Sequence, residues 1–373
     1  MRFLPAAAIV LGAGVAAAQT APPTLAEMRS EMGIASTPEV RGQRDAVGFA
    51  STAAEMAAAW DGSGPLLPEE RLGPAPPPGI AGAVCPHDDY LYAGRVYKAV
   101  LPLVTARTVV LVGVFHRWKR FGARDVLVFD TYRAWRTPDG ELTVSPVREE
   151  LHAALPPGAA VVSDTMHDSE HSLEALAYWL RHGRPGREIV PVLVATSSFE
   201  RLQTLASQLA AALAPMLQRQ GWQLGRDVAV VISADAVHYG PDFGHVPFGE
   251  GGIEAYRQAT ARDRALLVGP LAGPLTVEKV RQAYETWVDP ADPGTYRVSW
   301  CGRFSIPLGL LLLRDLARRL GLPAPVGVPV AYGTSVGGPE VTTRESGLGV
   351  TAPANLYHFV GYPGLAVVLP PAA

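Results

Sequence analysis

Net charge is scarce in this chain. Its 35 acidic side chains against 32 basic ones leave −3 at pH 7, with the two signs interspersed. Nucleic-acid binding calls for a basic face or stripe, so no nucleic-acid partner is expected. Cysteine is nearly absent: Cys85 and Cys301 stand alone. No repeat recurs at a solenoid or propeller period. Long apolar runs are missing as well. The N-terminal run Phe3 to Val15 is interrupted by Pro5, Gly12 and Gly14, and it falls short of the roughly 20 residues that a spanning helix needs.

That run reads instead as the core of an export signal. Arg2 supplies the positive start, and Ala16-Ala17-Ala18 before Gln19 fits a small-residue cleavage site. The expected organisation is a signal peptide over 1–18, an arm or linker over 19–45 and one α/β domain over 46–373. The mature protein is then expected to be exported, periplasmic or secreted, with no membrane span.

What is abundant is apolar residue content. At 48% hydrophobic, the 373 residues supply core for one large α/β domain or two ordinary ones. Ala81 to Cys85, Val109 to Val114, Glu188 to Val194, Asp227 to Ser233, Val328 to Tyr332, Leu356 to Tyr362 and Leu365 to Leu369 read as strands. Between them, Gly94 to Leu101, Leu173 to Arg181, Phe199 to Gln220, Ile253 to Leu267, Thr276 to Glu285 and Pro307 to Leu320 read as helices, preceded by an alanine-rich one at Ser51 to Trp60. Apolar strands alternating with amphipathic helices predict an α/β fold: a mostly parallel central sheet with helices on both faces.

Polar residues able to bind one metal follow these strands. His87 sits in Pro86-His87-Asp88-Asp89-Tyr90, His116 follows Phe115, Asp235 and His238 follow Ser233, and Cys301-Gly302-Arg303 precedes a helix. In open α/β sheets ligands collect beyond the carboxyl ends of the strands. Imidazole, thiolate and carboxylate converging there suit iron, copper or zinc. Asp235 and His238 read as a general acid/base pair or as partners that orient a ligand imidazole; Asp235 as a helix cap is the plainer alternative. His171, beside Glu170, reads as a proton relay at the pocket rim, or as a bystander next to a serine that caps a helix. Tyr90, Tyr92 and Trp118 line the pocket or pack in the core. Cys301 is either a thiolate favoured by the following helix N-terminus or half of a disulfide with Cys85, which lies two residues from His87.

Taken in order, these segments resemble the Memo family, also called AmmeMemoRadiSam system protein B. The resemblance rests on Pro86-His87-Asp88-Asp89-Tyr90, Gly113 to His116, Glu170-His171-Ser172-Leu173-Glu174, Pro191 to Val194, Ser233 to His238, Cys301-Gly302-Arg303 and Tyr332 to Ser335. It implies a fold related to the class III extradiol ring-cleavage dioxygenases. It also implies one mononuclear metal on His87, His116 and Cys301, with iron or copper the expected occupant and zinc an alternative. Asp235, His238 and His171 are then the candidate catalytic residues. The chain departs from the family pattern at Asp88-Asp89, where Ala-Gly is usual, at Val114-Phe115 for Pro-Ser, at Arg117 for a second histidine, and around Gly48-Phe49, where Trp-Tyr is missing.

The expected function is a metal-dependent oxidoreductase, dioxygenase-like, on a small molecule. A non-catalytic holder of a metal or a peptide is the alternative. A serine hydrolase is weakly signalled by Gly333-Thr334-Ser335-Val336-Gly337; a nucleophile elbow needs a helix after the turn, and Gly338-Pro339 follows instead.

Overall fold

The computed structural model describes residues 36–338 and 347–371. The expected signal peptide lies outside the described residues. Ten strands position the site: β1 Val40–Arg41, β2 Gly82–Cys85, β3 Thr108–Val114, β4 Leu127–Phe129, β5 Ala134–Thr137, β6 Gly140–Val144, β7 Glu188–Val194, β8 Val228–Ser233, β9 Val326–Thr334 and β10 Phe359–Val368. Across the sheet the order is β1-β5-β6-β7-β3-β8-β2-β10-β9, with β4 pairing beside β7.

The middle of this sheet is parallel, from β6 through β7, β3 and β8 to β2. Strands Val109-Val110-Leu111-Val112 and Ala229 to Ile232 alternate between two buried clusters. Val110, Val112, Val230 and Ile232 pack with the helices Phe199–Gln220 and Ser305–Arg319. Val109, Leu111, Ala229 and Val231 pack with Tyr90–Val100 and Glu174–Gly183. Burial on both faces is why these strands read as unbroken apolar runs.

The α/β sheet is mostly parallel, as expected, but carries antiparallel pairs as well. Its parallel middle is extended by antiparallel pairs, β2 with β10 and β10 with β9. The two expected strands around 356–369 are one, because Pro363 and Gly364 do not turn but stay paired opposite Tyr332 and Ala331. A Cβ at Gly364 would stand 2.9 Å from a Val100 methyl, so this glycine admits the covering helix rather than a turn. Strands β4 to β6 and the pairing of β1 with β5 were not expected from the sequence. Residues 36–45, the end of the expected arm, lie against the sheet, with Arg41 buried.

Both cysteines are free. Cys85 packs into the cluster under helix Tyr90–Val100, whereas Cys301 precedes the helix that covers the opposite face. Strand alternation thus aims Cys85 away from Cys301, against the expectation that the two thiols lie together.

Candidate metal centre

The carboxyl ends of β2, β3 and β8 lie side by side, since Cys85 pairs with Ser233 and Val112 with Ile232. Each then releases one polar residue into the same space. His87 leaves β2 and its backbone N–H donates to Asp235 Oδ1 at 2.9 Å. Its ring Nδ1 lies 2.6 Å from Ser233 Oγ. That hydroxyl gives its single proton to the Ser172 carbonyl, so it accepts from His87 Nδ1–H and leaves Nε2 with a free lone pair. Burial, aided by His116 and His171, holds the His87 pKa well below the usual range. The ring is therefore a neutral imidazole, the form that binds metals.

His116 leaves β3. Its backbone N–H and its Nδ1 meet the two oxygens of Glu170, at 2.6 and 2.9 Å. Glu170 Oε1 also accepts the N–H groups of His171 at 2.9 Å and Ser172 at 3.0 Å. Burial works to raise the Glu170 pKa, but His116, His171 and these donors win, and it falls below the usual carboxylate range. The segment is pinned from beneath: Ser172 Oγ donates to the Val114 carbonyl at 2.7 Å. Gly113 makes the approach possible, because a Cβ there would stand 2.7 Å from Leu173 Cγ.

His171 completes a cluster. Its Nδ1 is hydrogen-bonded to Asp45 Oδ2. Burial works to lower its pKa, but the Asp45 bond and the Glu170 charge overcome this and raise it to about 9. The ring centroids of His87, His116 and His171 are 5.3, 5.7 and 5.0 Å apart. One ligand atom from each lies within 4.8 Å of the others. A carboxylate or hydroxyl behind each Nδ1 is the arrangement that fixes the tautomer of metal-binding histidines.

A second group shares His87: His87, Asp235 and Cys301 also bring ligand atoms within 4.8 Å of one another. Asp235 Oδ2 is 3.2 Å and Cys301 Sγ 3.6 Å from His87 Nε2. Cys301 Sγ accepts the Asp235 N–H at 3.0 Å. Burial, then Asp88, raises the Asp235 pKa well above its ordinary value; burial, then Asp235, does the same to the Cys301 thiol. Burial thus opposes the thiolate that the following helix N-terminus was expected to favour. A short 3-10 turn, Cys301–Arg303, begins at this residue, and desolvation outweighs what the helix beyond it offers. A metal at this group would have to displace the thiol proton.

Among the described residues, Asp235 caps no helix and makes no hydrogen bond to His238. His238 turns its Nδ1 to the carbonyls of Ala236 and Ser299, both at 3.1 Å. These two acceptors fix a proton on Nδ1, and burial lowers the His238 pKa. Tyr92 lines the cavity and Trp118 a smaller neighbouring one, while Tyr90 is core, its hydroxyl bound to the Ala175 carbonyl. Ser335 Oγ accepts the Val360 N–H at 3.0 Å and bonds no histidine among the described residues.

The histidines open onto a cavity of about 520 Å3, which Asp88, Asp89, Arg44 and Arg117 also line. That volume suits a small-molecule ligand. Asp45 and Ser233 were not singled out as functional from the sequence. Asp45 lies in a stretch that reads as linker, with no local motif. Ser233 shows only through its place in the Ser-x-Asp segment.

Strand-end loops, a cavity and paired imidazoles thus define an α/β protein with a candidate metal site at the carboxyl edge of its sheet. A family model described as Memo-like protein matches residues 69–327, and the chain belongs to the Memo family. It is similar to a MEMO1 family protein of Thermococcus onnurineus, 29% identical over 177 residues, which cover 45% of this chain and 56% of that one. A MEMO1 family protein of Archaeoglobus fulgidus is 31% identical over 170 residues, 45% of this chain and 59% of its own. One of Methanosarcina barkeri is 31% identical over 166 residues, 43% and 56%. The chain thus spans less than two thirds of the length of these curated relatives.

Proposed function

We propose that the protein holds one transition-metal ion in this cavity and uses it in the oxidation of a small molecule. The observation that carries the reading is the set of three imidazoles, His87, His116 and His171, each with its Nδ1 tied to an acceptor and its ligand atom within 4.8 Å of the other two. His87 and His116 are two of the donors. The third is Cys301, as the family resemblance implies, or His171, as the geometry suggests. Iron or copper fits a site of two imidazoles, a third donor and open positions, and zinc fits it too. Such an ion would supply redox or Lewis-acid chemistry.

This chain's own groups bind and orient. Ser233 and Glu170 fix the tautomers of His87 and His116, and Asp45 orients His171, from which a bound metal would displace a proton. His238, with its proton on Nδ1, presents Nε2 as a fixed acceptor at the cavity wall. The fold relation to class III extradiol dioxygenases belongs to the same reading. So does export, supported by the N-terminal pattern; N-terminal sequencing of exported protein should begin near Gln19.

Elemental analysis of purified wild type, His87→Ala, His116→Ala, His171→Ala and Cys301→Ala tests the site. Metal is expected in the wild type and lost in the first two variants. Whichever of the last two also loses it names the third donor. Unchanged content in the His87→Ala/His116→Ala double variant would sink the reading. A holder without catalysis would bind metal yet consume no oxygen with any substrate.

A further inference from the structure

Behind the larger cavity lies a smaller chamber of about 220 Å3. His116 and His238 line both, whereas Cys301 lines only the smaller one. Its walls are largely aromatic, including Trp118, Phe243, Tyr296 and Phe304, and its one formal charge is Arg303.

Among the described residues Arg303 pairs with no carboxylate. Its guanidinium lies 5.1 Å from the Tyr296 ring centroid and 4.9 Å from that of Phe304. Its Nε is buried without a hydrogen-bond partner. Among the described residues it forms neither an ion pair nor a hydrogen bond. Arg303 is half-buried; the buried Arg41, Arg95 and Arg148 pair with Glu174, Glu70 and Asp130 at 2.5, 3.1 and 2.8 Å, and the buried Arg187, which has no ion pair among the described residues, donates to the Leu180 and Val104 carbonyls. A cation withdrawn from water without an acceptor is unfavourable, and cation–π contact offsets part of that.

We propose that this chamber is a binding site for a small aromatic monocarboxylate, with Arg303 as its anion anchor. A guanidinium presents paired N–H donors that match a carboxylate in a bidentate fork. The aromatic walls suit a flat ring in edge or offset contact. The volume is below the roughly 300–1,000 Å3 of drug-sized ligand sites, so a single small ring with its acid group is the appropriate size. An acid seated there lies against Cys301, His116 and His238, so it shares the His116 imidazole with the candidate metal centre but meets neither His87 nor His171. The proposal does not rest on the metal reading.

Benzoate is the probe and benzamide its uncharged counterpart, each titrated by calorimetry into the full chain after chelator treatment. Benzoate is expected to bind at least about tenfold more tightly than benzamide, the margin a charge-assisted pair supplies. Arg303→Met should reduce benzoate to the benzamide level, and Arg303→Lys should fall between. Should Arg303→Met fail to fold, the Nε–H resonance of Arg303 in 15N-arginine-labelled wild type gives the same answer. It should shift with benzoate and stay with benzamide. Absence of benzoate binding, equal binding of the two probes, benzoate binding unchanged in Arg303→Met, or an unmoved resonance would each overturn the proposal.

Discussion

Glu174 holds the backbone of Asp45: its Oε2 accepts the Asp45 N–H at 3.1 Å. Its other oxygen takes Arg41 Nη1 at 2.5 Å and the Arg44 N–H at 2.7 Å. One buried carboxylate thus gathers the 41–45 segment and aims the Asp45 side chain at His171. The acceptor that sets the orientation of one imidazole is itself set by a helix residue three positions beyond that imidazole.

Asp45→Asn and Glu170→Gln should each weaken metal affinity by about 10- to 100-fold, the usual effect of removing a partner behind a ligand imidazole. Circular dichroism should not change. Chelator competition measures the affinity, and wild-type affinity in both variants would refute the role assigned to these carboxylates.

Arg41→Ala should destabilise the protein by about 3–5 kcal/mol, because it leaves the Glu174 carboxylate buried and unpaired. The Arg41–Glu174 side chains are 2% and 0% exposed. Arg133 and Glu141 also pair, but at 56% and 51% exposure. Arg133→Ala should therefore leave the denaturant midpoint unchanged. Urea unfolding of the two variants side by side decides whether burial makes the difference.

Gly302→Ala should disturb the thiol specifically. The added Cβ would stand 2.2 Å from the Ala234 Cβ, so the turn carrying Cys301 must shift away from Asp235. Overpacking of this kind costs about 1–3 kcal/mol. Thiol-reactive labelling of Cys301, which is 7% exposed, should become faster. Labelling at the wild-type rate would show that the strand end yields instead.

Asp263 sets a pH dependence away from the site. Trp300 Nε1, Tyr332 OH and the Val237 N–H all donate to it, yet burial raises its pKa from 3.8 to about 6. Between those values the native state binds more protons than the unfolded one, so its contribution to stability falls as pH rises through that window. Melting midpoints from pH 4 to 7 should carry this slope, and Asp263→Asn should remove it while lowering stability throughout. An identical slope in the variant would assign the effect elsewhere.

The sheet's parallel middle was legible because each strand is buried on both faces and reads as an apolar run, as at Val109 to Val114. Strands β5 and β6 were not, since they are short and broken by exposed Arg136 in one and Glu141 and Thr143 in the other, so no apolar run marks them. The Pro363-Gly364 pair read as a turn because local propensity cannot see the helix whose approach selects that glycine. His87, His116 and Cys301 were legible as a motif series. The engagement of His171 by Asp45 was not, because the two are 126 positions apart and joined only through tertiary packing.

His87 and Cys301 stand 214 positions apart, with His116 and His171 between them on separate loops. No short peptide from this chain carries even two of these donors in helical or hairpin spacing. During synthesis, an ion could engage the three imidazoles only after the sheet's carboxyl edge, with Ser233 behind His87, has closed, and Cys301 only later still. Loading of such a site comes after folding instead of templating it, the reverse of a zinc finger. Truncation from either end would remove a donor or its support long before it removed the parallel core.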